Sequence, residues 1–149
     1  MITYRLTTGK FANDISGTGA KINGGRWNPI GLAGLYTSQY ISLAILEILV
    51  RATRTTTPNS YTLTSFEIPD NSIYQIQINK LKNEWKYDLN YTQGIGEDFL
   101  TNNQSLCLKV PSAIVPQENN FLLNPLHPNF KKVKIIASEL LELDKRLTV

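Results

Sequence analysis

The 149-residue chain has one cysteine, one histidine and one methionine. The lone Cys107 excludes an internal disulfide and any cysteine-rich zinc site. It sits in Leu-Cys-Leu-Lys-Val, the setting of a buried, inert thiol. The lone His127 lies between Leu126 and Pro128, in a turn that fixes a loop better than it moves a proton. A Ser-His-Asp triad or a histidine-rich metal site would have to use it, so imidazole chemistry and a metal centre are not expected. Long apolar runs are missing too. The longest, Ile41 to Val50, is interrupted by Ser42 and Glu47 and falls short of the ~18 residues of a spanning helix. The start, Met-Ile-Thr-Tyr-Arg, has no basic region followed by an apolar stretch, so no signal peptide is expected. These absences predict a cytoplasmic protein with no membrane association.

Charge is sparse as well. Charged residues make up 18% of the chain and the net charge is +3. No basic stripe suggests nucleic-acid binding; Lys131, Lys132 and Lys134 form the densest group and read as a solvated strand edge. A mild positive balance favours an anionic substrate or an acidic partner. Repeats, low-complexity tracts and long linkers are absent. Residues 1–149 are therefore expected to form a single domain, large enough to bury a core without staples.

Against this background two segments stand out. Residues 24–29 read Gly-Gly-Arg-Trp-Asn-Pro. Gly24 and Gly25 let a backbone approach a ligand closely, and Arg26 is a fork of donors suited to phosphate or carboxylate. Trp27 adds a flat indole, and Asn-Pro forces a turn. The run suits a loop that holds a flat, anionic ligand. It equally suits an ordinary glycine-rich turn with a packed Trp27 and a solvated Arg26. The second segment is a helix expected from Gln39 to Thr53, with Ser38 as its N-cap. Ile41, Ala44, Ile45, Ile48 and Ala52 make one apolar stripe, and Leu43, Leu46, Leu49 and Val50 cover much of the remaining circumference. Glu47 stands in this apolar setting. It must either pair with Arg51 one turn on or face a cleft, because burying a bare carboxylate is costly.

Elsewhere, strands are expected at Ile2–Leu6, Gly34–Thr37, Tyr61–Ile68, Ser72–Ile78, 106–110, Phe121–Leu123, Val133–Ala137 and Leu140–Leu143. A helical turn is expected at Leu81–Tyr87 and a short helix at Thr92–Thr101. Residues 9–31 read as a long glycine-rich loop, a length that in a compact domain tends to be functional. Many strands and few helices indicate an α+β domain on an antiparallel or mixed sheet.

Further runs add to the hexamer: Ser-Gly-Thr-Gly-Ala at 16–20, Leu-Ala-Ile-Leu-Glu at 43–47, Val-Pro-Ser-Ala at 110–113 and Asn-Phe-Leu-Leu-Asn-Pro-Leu-His-Pro at 120–128. In this order and spacing the chain resembles the RES domain family, from Tyr4-Arg5-Leu6 to Asp144-Lys145-Arg146-Leu147. The family's Arg, Glu and Ser fall on Arg26, Glu47 and Ser112, and a family tyrosine falls on Tyr36. Arg51 stands where relatives often have histidine, Phe99 where tryptophan is common, and Lys21 in place of a frequent arginine. The resemblance implies an ADP-ribosyltransferase-like fold, with two small packed sheets and an NAD cleft between them. It implies a toxin that breaks the nicotinamide–ribose bond of NAD⁺ by phosphorolysis or hydrolysis, with inorganic phosphate as co-substrate in the first case. Some members instead ADP-ribosylate a protein. The implied partner is an Xre-type helix-turn-helix antitoxin that covers the active site.

The residues make chemical sense of that activity. Nicotinamide leaves NAD⁺ as a neutral base and needs no general acid. Glu47 would stabilise the ribosyl oxocarbenium ion. Arg26 would hold the pyrophosphate or the attacking phosphate, with backbone N–H groups of Gly24 and Gly25 beside it. Tyr36 would stack on nicotinamide or bond to ribose. Ser112 would position a ribose hydroxyl or the carboxamide, and Trp27 and Asn124 would shape the pocket walls.

Overall fold

The computed structural model describes residues 1–52, 58 and 60–148. Seven strands run in the order β1 (Ile2–Thr7), β2 (Leu35–Ser38), β3 (Ser60–Glu67), β4 (Ile73–Gln75), β5 (Cys107–Pro111), β6 (Asn119–Leu123) and β7 (Lys134–Glu142). Three helices accompany them: α1 (Thr18–Asn23), α2 (Ile41–Arg51) and α3 (Leu89–Asn102). The α+β class follows from the sequence, but the sheet arrangement differs from the two sheets expected. The strands hydrogen-bond into one mixed sheet of order β4-β5-β6-β2-β1-β3-β7, in which β4 and β5 are parallel and the other neighbours antiparallel.

That sheet is weak at its middle. β1 meets β2 at a single pair, Tyr4–Ser38. Six pairs join β1 to β3 on one side and four join β2 to β6 on the other. Among the described residues, pairing does not continue where Arg5, Leu6 and Thr7 would meet Thr37, Tyr36 and Leu35. The sheet therefore divides into two halves that share one join, and the candidate site lies in the opening.

Three apolar clusters hold the sheet and its helices, and the first of them joins the two halves. Leu35, Phe66, Ile68, Leu106, Cys107, Phe121 and Leu123 pack together, and Leu6, Ala44, Tyr61, Leu63 and Leu143 form a second cluster under α2. A third, around Trp27, Trp85, Phe99, Leu108, Val110 and Leu122, lies under α3. Cys107 is buried, and that burial pushes its thiol pKa up, as an inert core cysteine requires.

Several boundaries differ from expectation for identifiable reasons. Ser38 does not cap α2. It is still in β2, and its hydroxyl donates to Asn120 Oδ1 at 2.7 Å across the sheet. The cap position is Tyr40, in extended conformation, whose side chain does not cap the helix. The expected last residue, Thr53, lies outside the described residues. The segment 9–31 is not an unbroken loop: it holds a 3-10 turn at Gly9–Phe11 and the short α1. Gly17 initiates α1 with φ +73°, and a Cβ there would lie 2.7 Å from the Gly34 nitrogen. The strands expected at 133–137 and 140–143 are one, because β7 stays paired with β3 through a bulge opposite Ser65–Phe66. α3 is longer than expected at both ends: Asp88 caps its start by accepting from the Tyr91 N–H, and Asn103, in left-handed conformation, closes its end.

Candidate active site

A cleft of about 320 Å³ occupies the opening between β1 and β2. β1 contributes Arg5 and Thr7, β2 contributes Tyr36 and Thr37, and α2 contributes Glu47, Ile48 and Arg51. The glycine segment at Gly24–Gly25 and Asn120 of β6 complete the wall. The volume lies at the lower end for small-ligand sites.

α2 buries Leu43 and Ala44 against the sheet, which turns Glu47 toward the cleft. One carboxylate oxygen, Oε1, accepts from Asn120 Nδ2 at 2.5 Å and from Ser112 Oγ at 3.1 Å. Among the described residues the other oxygen has no donor, and Glu47 forms no ion pair with Arg51. Of the two readings left open by the sequence, the cleft-facing carboxylate is the one observed. The Glu47 network is extended by Ser38, whose hydroxyl fixes the orientation of the Asn120 carboxamide.

Ser112 is fully buried behind Glu47. Besides its bond to Glu47, its hydroxyl accepts from the N–H groups of Ile114 at 3.1 Å and Val115 at 3.2 Å. Ser112 is not among the residues that line the cleft. Tyr36 lines the cleft, with its hydroxyl donating to Asn28 Oδ1 at 2.7 Å and accepting from the Trp27 N–H at 3.1 Å. Burial pushes the phenol pKa up, opposed by the Trp27 N–H and by the charges of Arg51 and Arg26. The group is a neutral donor at any ordinary pH. Gly25 permits this packing: a Cβ would lie 2.6 Å from Asn28 Oδ1 and 2.8 Å from the Tyr36 hydroxyl.

The hexamer is arranged differently from the ligand loop envisaged. Gly24 and Gly25 line the cleft, yet their N–H groups are engaged, donating to Ala20 O at 2.8 Å and Asn28 O at 2.9 Å. Trp27 is 2% exposed and packs 5.8 Å from the Trp85 ring, so it belongs to the core beneath α3 rather than to the cleft wall. Anchoring Trp27 there carries Arg26 to the 3-10 turn at Trp85–Tyr87, where Nη1 donates to Lys86 O at 2.7 Å. Arg26 lies close enough to act electrostatically on Tyr36 but is not part of the cleft wall. Asn124 is also remote from it. Its amide donates to Leu100 O and to Asn103 Oδ1, tying the end of β6 to the end of α3. His127 fixes its loop as expected, Nδ1 accepting from the Asn129 N–H at 3.1 Å.

The cations that do line the cleft are Arg5 and Arg51. Arg5 donates to Asp14 O at 2.7 Å. Burial lowers its pKa and the nearby Asp14 charge raises it. Arg51 has no ion-pair partner among the described residues. Thr7 of β1 and Thr37 of β2 are cleft residues whose hydroxyls are buried without a hydrogen-bond partner among the described residues, as are those of Thr3 and Thr64 outside the lining. Buried hydroxyls in that state are groups a bound ligand or water can satisfy. The sequence reading missed Arg5, Thr37 and Asn120. For Arg5 a signal existed, a charge inside a short strand; for Asn120 only the register of β6 against β2 reveals the role. No three His, Cys, Asp or Glu side chains converge among the described residues, and no described helix is long and apolar enough to cross a membrane.

Comparison with known proteins places this geometry in context. The profile of the RES domain matches residues 2–144. A protein named Toxin Res from Photorhabdus laumondii is 42% identical over 135 residues, covering 89% of this chain and 86% of the relative. A Toxin Res from Yersinia enterocolitica is 39% identical, covering 88% of each. A protein named Prs ADP-ribosylating toxin, from a Sphingobium species, is 35% identical, covering 83% of this chain and 80% of the relative. Among solved structures, the M. tuberculosis MbcT–MbcA toxin–antitoxin complex contains a chain of similar fold. The TM-score is 0.77 at 20% identity, over 99% of this chain and 86% of that one.

Proposed function

The chain belongs to the RES domain family, and from that premise we propose that it is the toxin of a toxin–antitoxin pair. In this reading it is an enzyme that cleaves the nicotinamide–ribose bond of NAD⁺ by phosphorolysis or hydrolysis. The observation that carries the reading is the state of Glu47. Its Oε1 is fixed by Asn120 and Ser112, while the rest of the carboxylate faces a cleft lined by two arginines and unpartnered hydroxyls.

Nicotinamide departs with the electron pair of the C1′–N bond and becomes neutral. Positive charge develops on the ribose. A carboxylate held in place before the reaction stabilises that charge without reorganising at the moment of bond breaking. A bond from a ribose hydroxyl to the open side of Glu47 would place it well. Thr37 and Thr7 supply further polar contacts for the sugar. The pyrophosphate, or inorganic phosphate as co-substrate, falls to Arg5 and Arg51 on the wall, with Arg26 adding charge from behind Tyr36. The Tyr36 ring, held by Asn28 and Trp27, forms a flat surface against which nicotinamide stacks. No metal is required for these steps.

The second reading is mono-ADP-ribosylation of a host protein in the same cleft, an acceptor side chain replacing phosphate or water. It is favoured by the name of the Sphingobium relative, an ADP-ribosylating toxin. Either activity would harm the cytoplasm that contains it, so a partner must restrain it. An Xre-type helix-turn-helix antitoxin covering the cleft is the proposed one, supported by the toxin–antitoxin complex among the structural neighbours. Incubating the purified protein with labelled NAD⁺ tests both readings. Free nicotinamide with soluble ADP-ribose or its phosphate supports the first. Label retained on a protein supports the second, and unconsumed NAD⁺ refutes both.

A further inference from the structure

We propose that Asp14 selects the dinucleotide: its carboxylate accepts from the hydroxyls of the adenosine ribose, and so admits NAD⁺ and turns away NADP⁺. The inference rests on the NAD⁺ reading and names a determinant of substrate choice within the same cleft. That cleft passes through the sheet. On β1, Tyr4 and Leu6 pack with Ala44 and Ile45 on the face that carries α2, so by strand alternation Arg5 and Thr7 stand on the opposite face. Residues of both faces line the opening: Glu47 on the α2 side, Asp14 and the start of α1 on the other. A dinucleotide whose reacting ribose meets Glu47 therefore extends past Arg5 toward Asp14. Arg5 links the two ends, its Nη1 donating to the Asp14 carbonyl oxygen at 2.7 Å. A pyrophosphate held at Arg5 sets the second ribose beside the Asp14 side chain.

The carboxylate is held in place before any ligand arrives. Its Oδ1 accepts from the Ser16 N–H at 2.9 Å and from the Ser16 hydroxyl at 2.5 Å, and that hydroxyl accepts from the Thr18 N–H at 3.2 Å. Among the described residues Oδ2 has no donor, and Asp14 forms no ion pair with Arg5 or any other cation. The Ser16 hydroxyl and N–H hold the Asp14 carboxyl below its usual range, and the Arg5 charge adds to the effect. The group is thus an anion with one oxygen fixed and one open, the same arrangement as Glu47 at the other end. Gly19 leaves room in front of it, since a Cβ there would meet nothing within 4 Å. A carboxylate with an open oxygen suits the two donors of a ribose diol, the chemistry by which acidic residues read a ribose 2′-hydroxyl in other dinucleotide sites. NADP⁺ replaces one of those donors with a phosphate. The carboxylate then loses a hydrogen bond and faces a like charge, so one side chain supplies both the attraction and the repulsion that specificity needs.

ADP-ribose and 2′-phospho-ADP-ribose differ only in that phosphate, and both lack the nicotinamide–ribose bond. Calorimetric titration of the full chain with each, at low ionic strength where charge is least screened, tests the proposal. The unmodified chain should bind ADP-ribose at least ~tenfold more tightly than its 2′-phosphate. Asp14→Asn removes the charge and keeps an acceptor for Ser16, and should bring the two ligands within about threefold of each other. Ser16→Ala loosens the segment but keeps the charge, so the preference should persist whatever happens to affinity, which separates the charge from the loop. Equal binding by the unmodified chain, or a preference that survives Asp14→Asn, overturns the proposal. NAD⁺ left intact by a chain that binds ADP-ribose with the expected preference overturns the cleavage reading alone. Binding of neither ligand overturns both.

Discussion

At the scale of single residues, the proposed chemistry turns on how Glu47 is held. Removing its charge while keeping its shape separates catalysis from binding. Glu47→Gln should lower kcat by ~10²–10³, as expected for the loss of one preorganised charged group, with little change in NAD⁺ affinity. Steady-state kinetics paired with calorimetric binding checks both halves; an affinity loss as large as the rate loss would make Glu47 a binding residue. Ser112 donates to Glu47, and on the proposed chemistry it acts through that carboxylate. Ser112→Ala leaves the carboxylate only Asn120 as donor, and a hydrogen bond to a charged group is worth ~1.5–3 kcal/mol. The expected result is at least a tenfold fall in kcat with KM nearly unchanged, whereas a ribose-contacting serine would raise KM. Glu47 was legible in the sequence because a carboxylate in an apolar helix needs an explanation. Arg26 and Trp27 were only half legible: their chemistry was plain, but which way each turned depended on the distant Trp85 turn.

At the scale of elements, α3 shows how a local rule can be overridden. In a helix interior, glycine is less favourable than alanine by ~1 kcal/mol, so Gly96→Ala would ordinarily stabilise. Here a Cβ would lie 1.4 Å from the Trp27 carbonyl oxygen, a backbone atom that cannot step aside. Overpacking of this kind commonly costs ~1–3 kcal/mol, which outweighs the propensity gain. Gly96→Ala should therefore lower the urea midpoint, and a raised midpoint would mean that α3 sits further from Trp27. The cap of the same helix carries a pH dependence. The neighbouring Lys82 ammonium and the Tyr91 N–H hold the Asp88 carboxyl below its usual range. A depressed carboxyl stabilises fully above its unfolded pKa of ~3.9 and loses that contribution as pH falls through the lower, folded value. Asp88→Asn should thus melt below the parent at neutral pH, and the gap should close in strong acid. Long periodic segments such as α2 and β3 were readable from sequence. The cap of α2 was not, because Ser38 met Asn120 through a cross-sheet register that local sequence does not encode. α1 also escaped notice, being six residues long and started by a left-handed glycine.

At the scale of the whole molecule, the cleft exists because the sheet is joined at its centre by one residue pair. The strands on either side are continuously paired, so the opening lies between two paired halves of the sheet, with the glycine-rich segment at its rim. Many strands and few helices led to an α+β domain, and the RES resemblance implied two small packed sheets around an NAD cleft. The strands form one sheet instead because Tyr4 meets Ser38, a long-range contact no pattern reveals. Two arginines and two unpartnered threonine hydroxyls in a gap of this kind suit a phosphorylated sugar. The central claim is that this gap breaks NAD⁺ at the nicotinamide–ribose bond. The most direct measurement is mass spectrometry of NAD⁺ incubated with the folded, antitoxin-free protein, with and without inorganic phosphate. One nicotinamide should be released per NAD⁺ consumed. The other product should be ADP-ribose alone, or its phosphate when phosphate is supplied. Release should fall with Glu47→Gln. Intact NAD⁺ after prolonged incubation in both conditions would contradict that claim.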